Sequence, residues 1–93
     1  MDKAVDQTCL LLCVKNESDN ILDYLNLNSK EFKMFFMVDI DSTDNTVELV
    51  KKWCLDNDKQ LKVHRSNKII SGNSCFKLAK KSFPNSKIKT IDW

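Results

Sequence analysis

Ninety-three residues allow one small domain, near the lower end of the usual range of roughly 100–150 residues. Hydrophobic residues make up 42% of the chain and charged residues 30%, which is a globular composition and not a disordered one. The net charge of +2 is too small to argue for nucleic acid, and the basic residues are lysines except for Arg65, whereas phosphate and base readout lean on arginine forks. The longest apolar run, Cys9 to Val14, falls far short of the roughly 18–20 residues that span a membrane and fits a buried strand. Met1 to Asp6 carries Asp2 and Asp6 with no small-residue cleavage site after them, so no secretory leader is expected. Cys9, Cys13, Cys54 and Cys75 form no C-x-x-C, and none stands at zinc-ligand spacing from His64, the one histidine. They read as reduced, mostly buried thiols of a cytoplasmic protein. Gly72 is the single glycine, which rules out both the dinucleotide-binding and the P-loop glycine motifs.

In chain order, Thr8 to Val14 is apolar on both faces and suits a strand covered on both sides, as in parallel sheets. Lys15, Asn16 and Glu17 end it, Ser18 or Asp19 offers a helix cap, and Ile21, Leu22, Tyr24 and Leu25 follow with helical spacing. Asn26 to Lys30 reads as loop. Met34 to Val38 is a second buried strand, stopped by Asp39. Asp44 or Thr46 then caps a helix whose apolar stripe is Val47, Val50, Trp53 and Cys54. Leu61 to His64 is a weak third strand, and Asn67 to Asn73 is a loop holding the glycine. Cys75, Phe76 and Ala79 mark a third helix, with Lys77, Lys80 and Lys81 on its wet face, and Pro84 and Asn85 punctuate it. Ile88 to Ile91 is the fourth strand. The order β-α-β-α-β-α-β with short connections predicts an α/β domain with a parallel sheet between helical layers. Ligands of such sheets lie at the carboxyl ends of the strands, so Lys15–Glu17, Asp39–Asn45, His64–Asn67 and Asp92 should share one edge.

Asp39, Asp41 and Asp44 fall within six residues and repel one another unless a cation, a donor network or water relieves them. Mg²⁺ or Mn²⁺ is one answer, and donating groups of a nucleobase or ribose are another. The plainer reading makes Asp39 a strand end and Asp41 and Asp44 turn and cap residues. Lys15-Asn16-Glu17 either faces a ligand or is a solvated connection. His64 reads as a solvated strand end and Trp53 as core. Lys77, Lys80, Lys81, Lys87 and Lys89 form a solvated face with no aromatic residues interleaved to stack bases. Asp39-Ile40-Asp41-Ser42-Thr43 also matches the D-x-D-x-T signature of haloacid-dehalogenase-like phosphatases, in which the first Asp is a nucleophile. That signature follows the first strand of its family and precedes a hairpin flap, whereas here a strand–helix unit comes before it and a helix after.

Four stretches together resemble, in order and spacing, the N-terminal part of family 2 glycosyltransferases, which have a GT-A fold. Cys9 to Val14 followed by Lys15-Asn16-Glu17 is similar to the family's first strand and its K-N-E. Val38-Asp39-Ile40-Asp41-Ser42-Thr43-Asp44-Asn45-Thr46 is similar to V-D-x-G-S-T-D-N-T. Asn73, Phe76 and Ala79 fit the A-R-N-x-A-L-x-x-A helix, and Thr90-Ile91-Asp92-Trp93 resembles the strand that ends in the D-x-D metal motif. The resemblance implies a three-layer, Rossmann-like, truncated GT-A sheet and a site for a nucleotide-diphosphate sugar, most often UDP-linked. Asp39 would hydrogen-bond the base. Asp41, Asp44 and the Ser42-Thr43 turn would shape the pocket, with Lys15, Glu17 and Asn73 beside it. Asp92 would approach a Mn²⁺ or Mg²⁺ ion that acts as Lewis acid for the departing diphosphate.

The departures from the family pattern are specific. Asp41 stands where the turn usually has glycine, and Ser71-Gly72-Asn73 where A-R-N is usual, so that arginine is missing. The second Asp of D-x-D and the acceptor half with its catalytic base are not in the sequence, so the expectation is a nucleotide-binding part that is inactive alone. A second chain or another copy would cover the exposed sheet edge. The alternative is a non-catalytic interaction module that keeps the fold, with the phosphatase reading third.

Overall fold

The structure, a computed structural model, describes residues 8–28 and 32–90. Its strands are β1 (Thr8–Val14), β2 (Met34–Ile40), β3 (Gln60–Ser66) and β4 (Lys87–Thr90), and its helices are α1 (Ile21–Asn28), α2 (Thr46–Asp56) and α3 (Gly72–Ser82). The strands form one all-parallel sheet in the order β3-β2-β1-β4. The fold is therefore the expected α/β type, a small three-layer Rossmann-like sheet.

Strand alternation sorts the apolar side chains onto two faces. Leu10, Leu12 and Val14 of β1 and Phe35 and Met37 of β2 point to one side. There they bury Ile21 and Leu25 of α1 and Val47, Val50, Trp53 and Cys54 of α2. Cys9, Leu11, Phe36 and Val38 point to the other side, against Cys75 and Ala79 of α3 and Phe83. Trp53 is core as expected, with its ring edge-on to Phe35 at 5.7 Å between centroids and its indole N–H donated to Asn26 at 3.0 Å. Each such side chain, fully buried, stabilises by about 1.5–3 kcal/mol over its exposed state. All four cysteines are free, with Cys9, Cys54 and Cys75 buried and Cys13 exposed.

Several element boundaries differ from the sequence expectation, each for a local reason. Helix α1 runs on through Asn28, so Asn26 lies within it. Strand β2 is not stopped by Asp39 but continues to Ile40, because Asp39 sits in register between Val14 of β1 and Arg65 of β3. Strand β3 covers seven residues, Gln60–Ser66, because pairing to β2 holds it along its whole length. Helix α3 begins at Gly72, with Ser71 as N-cap accepting the Ser74 N–H, which places Asn73 in the first turn and not in a loop. Helix α2 is capped at Asn45 without a side-chain bond; Asp44 supplies the acceptor instead. Phe76 faces out, 42% exposed, and Cys75 and Ala79 alone form the buried stripe of α3. Gly72 has open space where a Cβ would stand and no positive φ. Ile91 of the expected fourth strand, with Asp92 and Trp93, lies outside the described residues.

The strand order places the edge that matters. From β1 the chain moves outward to β2 and β3 with α1 and α2 on one face, then returns across the sheet to β4 with α3 on the other. Right-handed crossovers require that change of face when direction reverses. The reversal lies beside β1, and ligands of such sheets settle outside the carboxyl ends next to it.

Candidate functional site

At the carboxyl ends of β1 and β2 two loops lock together. The first, Lys15–Asn20, leads into α1, and the second, Asp41–Asn45, leads into α2. Asn16 has a left-handed backbone, with φ of 51°. That turn points its side-chain carbonyl into the second loop, where Oδ1 accepts from Thr43 N at 2.7 Å and Asp44 N at 3.3 Å. The bonds also run the other way. Asn16 N donates to Ser42 Oγ at 2.9 Å, Glu17 N to Thr46 Oγ1 at 2.9 Å and Ser18 N to Asp44 Oδ2 at 3.2 Å. Loop main chain rarely finds so many partners without glycine or secondary structure, and here short polar side chains supply them.

The three carboxylates of the acidic cluster have three different fates. Asp44 is a capping residue: its Oδ1 accepts from Thr46 N at 3.0 Å and from the Thr46 hydroxyl. The Thr46 hydroxyl first, and then Ser18 and the backbone amides, pull its carboxyl down to about 2 against a smaller opposing push from desolvation. Asp41 is exposed with φ of 53°, a left-handed turn residue. Asp is among the residues that tolerate that region.

Asp39 is the buried one, with no exposed surface. Its Oδ2 accepts from Ser42 N at 3.2 Å and pairs with Arg65 Nε at 3.3 Å. Arg65 also donates through Nη2 to the Ser42 carbonyl at 3.3 Å. Asp39 Oδ1 is the only buried side-chain polar atom without a partner among the described residues. Buried acceptors are nearly always satisfied, so Oδ1 is an acceptor with capacity for a further donor at the carboxyl edge of the sheet.

The sequence expectations can be placed one by one. Asp39, Ser42 and Asp44 come together, with Glu17 joined through its backbone. Asp41 shapes the turn between them. Lys15 is exposed, on the same loop, and its ammonium takes no part in the network. Asn73 is exposed in the first turn of α3 and no hydrogen bond ties it to the two loops. Asp92, the expected metal ligand, lies outside the described residues, and among those described no three His, Cys, Asp or Glu side chains gather. Three residues of the network were not expected as site residues: Asn16, read only within Lys15-Asn16-Glu17, Thr46, read only as a helix cap, and Arg65. Arg65 carried a readable signal, as the one arginine at the end of the strand next to Asp39. Asn16 carried a weaker one, since Asn is the residue type that pairs a left-handed turn with a side-chain acceptor.

Shallow depressions elsewhere are not part of this site. One, about 480 Å³, is lined by Lys33, Met34, Asp58 and Gln60 at the opposite ends of β2 and β3. No protein-family model, curated protein or solved structure matches the chain.

Proposed function

We propose that this domain is the nucleotide-binding part of a family 2-like glycosyltransferase and holds a nucleotide-diphosphate sugar, UDP-linked, at the carboxyl ends of β1 and β2. The carrying observation is Asp39: a fully buried carboxylate with one oxygen held by Arg65 and Ser42 and the other without a donor. Oδ1 is suited to accept an imide N–H of uracil. The K-N-E and S-T-D-N-T stretches that carry the resemblance are the two loops that interlock beside it. The described residues are assigned to binding, and none is given a catalytic role. The Mn²⁺ or Mg²⁺ of the resemblance would be held by Asp92, which lies outside the described residues.

Other parts of the proposal have separate supports. Among the described residues β4 pairs only with β1, leaving an edge that a second chain or copy would cover. Four free thiols favour a cytoplasmic setting. No helix among the described residues is long and apolar enough to cross a membrane.

A second reading has its own observation. Asp39 has no exposed surface, so a ligand reaches Oδ1 only after a neighbouring side chain moves. If none does, Asp39 is a structural tie between β2 and β3 and the domain is a non-catalytic module. The phosphatase reading would need the same buried Asp39 as an accessible nucleophile, and α2 stands where the hairpin flap would follow. Titration of the protein with UDP, with and without Mn²⁺, followed by NMR shifts, separates the first two. Binding that Asp39→Asn weakens at least about tenfold supports the nucleotide site, since one charge-assisted hydrogen bond is of that order. A folded protein that ignores UDP selects the non-catalytic module.

A further inference from the structure

Asp39 and Arg65 are partners in the β2–β3 register, and on parallel neighbouring strands such partners share a face. The pair is unequal. Asp39 is fully buried, whereas the Arg65 side chain is 56% exposed. Both donors to the carboxylate, Arg65 Nε and Ser42 N, converge on Oδ2 and leave Oδ1 empty. The same guanidinium grips the Ser42 carbonyl, so one side chain fixes both the carboxylate and the turn that follows it.

We propose that Arg65 is a positioning residue at the nucleoside end of the site, holding Asp39 so that Oδ1 is presented whole to an N–H donor of the base. This rests on the nucleotide reading above. An arginine in a nucleotide site is ordinarily read as a phosphate ligand, because its fork matches phosphate oxygens. Here two of its five N–H donors are spent on Asp39 and Ser42, which ties the group to the end of β2. A rigid planar fork makes the two-point hold, and a lysine ammonium, a point charge on a flexible stem, does not.

The experiment titrates the 93-residue chain with uridine, UMP and UDP, following backbone amide NMR shifts in the unaltered protein, Asp39→Asn, Arg65→Met and Arg65→Lys. A positioning role at the base end predicts that Arg65→Met weakens all three ligands by one common factor, about tenfold, whatever the number of phosphates. Arg65→Lys should recover little of it. The Asp39 carboxyl carbon resonance should move in the Arg65 variants while the Trp53 indole N–H, on α2 and bonded to Asn26, stays in place. A loss that grows from uridine to UDP makes Arg65 a phosphate ligand and overturns the proposal. So does displacement of the Trp53 resonance together with that of Asp39, which marks a general structural role. Unaltered affinities in Arg65→Met alongside lost binding in Asp39→Asn leave the nucleotide site standing and reject Arg65. An unaltered protein that binds none of the three overturns both. Should Arg65→Met fail to fold, Arg65→Lys decides: a common loss supports positioning, and undiminished affinity rejects it.

Discussion

Asn16 is where the two-loop lock is most exposed to test, because it combines a side-chain acceptor with a left-handed backbone. Its Oδ1 takes one short bond, 2.7 Å from Thr43 N, and two longer contacts from Asp44 N and Thr43 Oγ1 at 3.3 Å and 3.4 Å. At an exposed position each bond stabilises by the low end of about 0.5–1.5 kcal/mol, so the side chain contributes about 1 kcal/mol. The backbone adds a separate term. At φ of 51° an alanine pays about 1–2 kcal/mol for its Cβ, which asparagine offsets locally and glycine avoids. Asn16→Ala should therefore cost about 2 kcal/mol and Asn16→Gly about 1 kcal/mol. In a domain of this size 1 kcal/mol moves the melting temperature by about 4–8 °C, so the two variants are separable by heating. Urea unfolding is the companion assay, with a lowered midpoint and an unchanged slope expected for both. Asn16→Ala within about 0.5 kcal/mol of the unaltered protein would refute the lock, since surface changes away from special features fall inside that range. A glycine variant as unstable as the alanine one would refute the backbone term.

Two further predictions follow from the second loop. Asp41, at φ of 53°, should accept glycine within about 1 kcal/mol of neutrality, while Asp41→Val, β-branched at a left-handed position, should cost more than about 1 kcal/mol in urea melts; equal stability of the two removes the strain argument. Asp44 titrates from about 2 in the folded protein, below its ordinary value of 3.8. Its contribution is present in full above the ordinary value and is lost as pH falls from about 3.8 toward about 2. Asp44→Asn should flatten that part of the stability–pH curve, and an unchanged curve would show that the Thr46 and Ser18 bonds do not hold the charge.

What could be read from the sequence divides by the kind of physics involved. Apolar runs and helical spacing located every element, because the burial that makes them form is written in local pattern: Leu10, Leu12 and Val14 against Ile21 and Leu25 is an alternation meeting a stripe. Boundaries were less legible. A carboxylate after MFFMV signals a strand end when read locally, yet Arg65, 26 residues further along the numbering, pairs with Asp39 and lets β2 run on. Gly72 reads as loop, yet Ser71 caps a helix there. At the site the acidic residues were visible by type, and the common edge followed from topology. Asn16 was visible only as part of Lys15-Asn16-Glu17 and Arg65 only as the one arginine, because their roles exist only once two loops and two strands stand side by side. Tertiary hydrogen bonds of that kind leave no period in the sequence.

The acidic cluster left two readings open, three carboxylates sharing a ligand or a strand end with turn and cap residues, and the geometry makes Asp41 a turn residue and Asp44 a capping one. Asp44 is consumed by Thr46 and Ser18, and Asp41 is exposed and does its work through its backbone. Only Asp39 keeps an unused oxygen. A single fixed acceptor suits a single N–H donor, and fixing it matters because freedom at a binding group must be lost when the ligand arrives. The interlocked loops remove freedom at the end of β2 beforehand, with Asn16 and Ser42 supplying the side-chain bonds between them. Under the nucleotide reading Arg65 acts at the base end, and the uridine, UMP and UDP series separates that role from one at the phosphates.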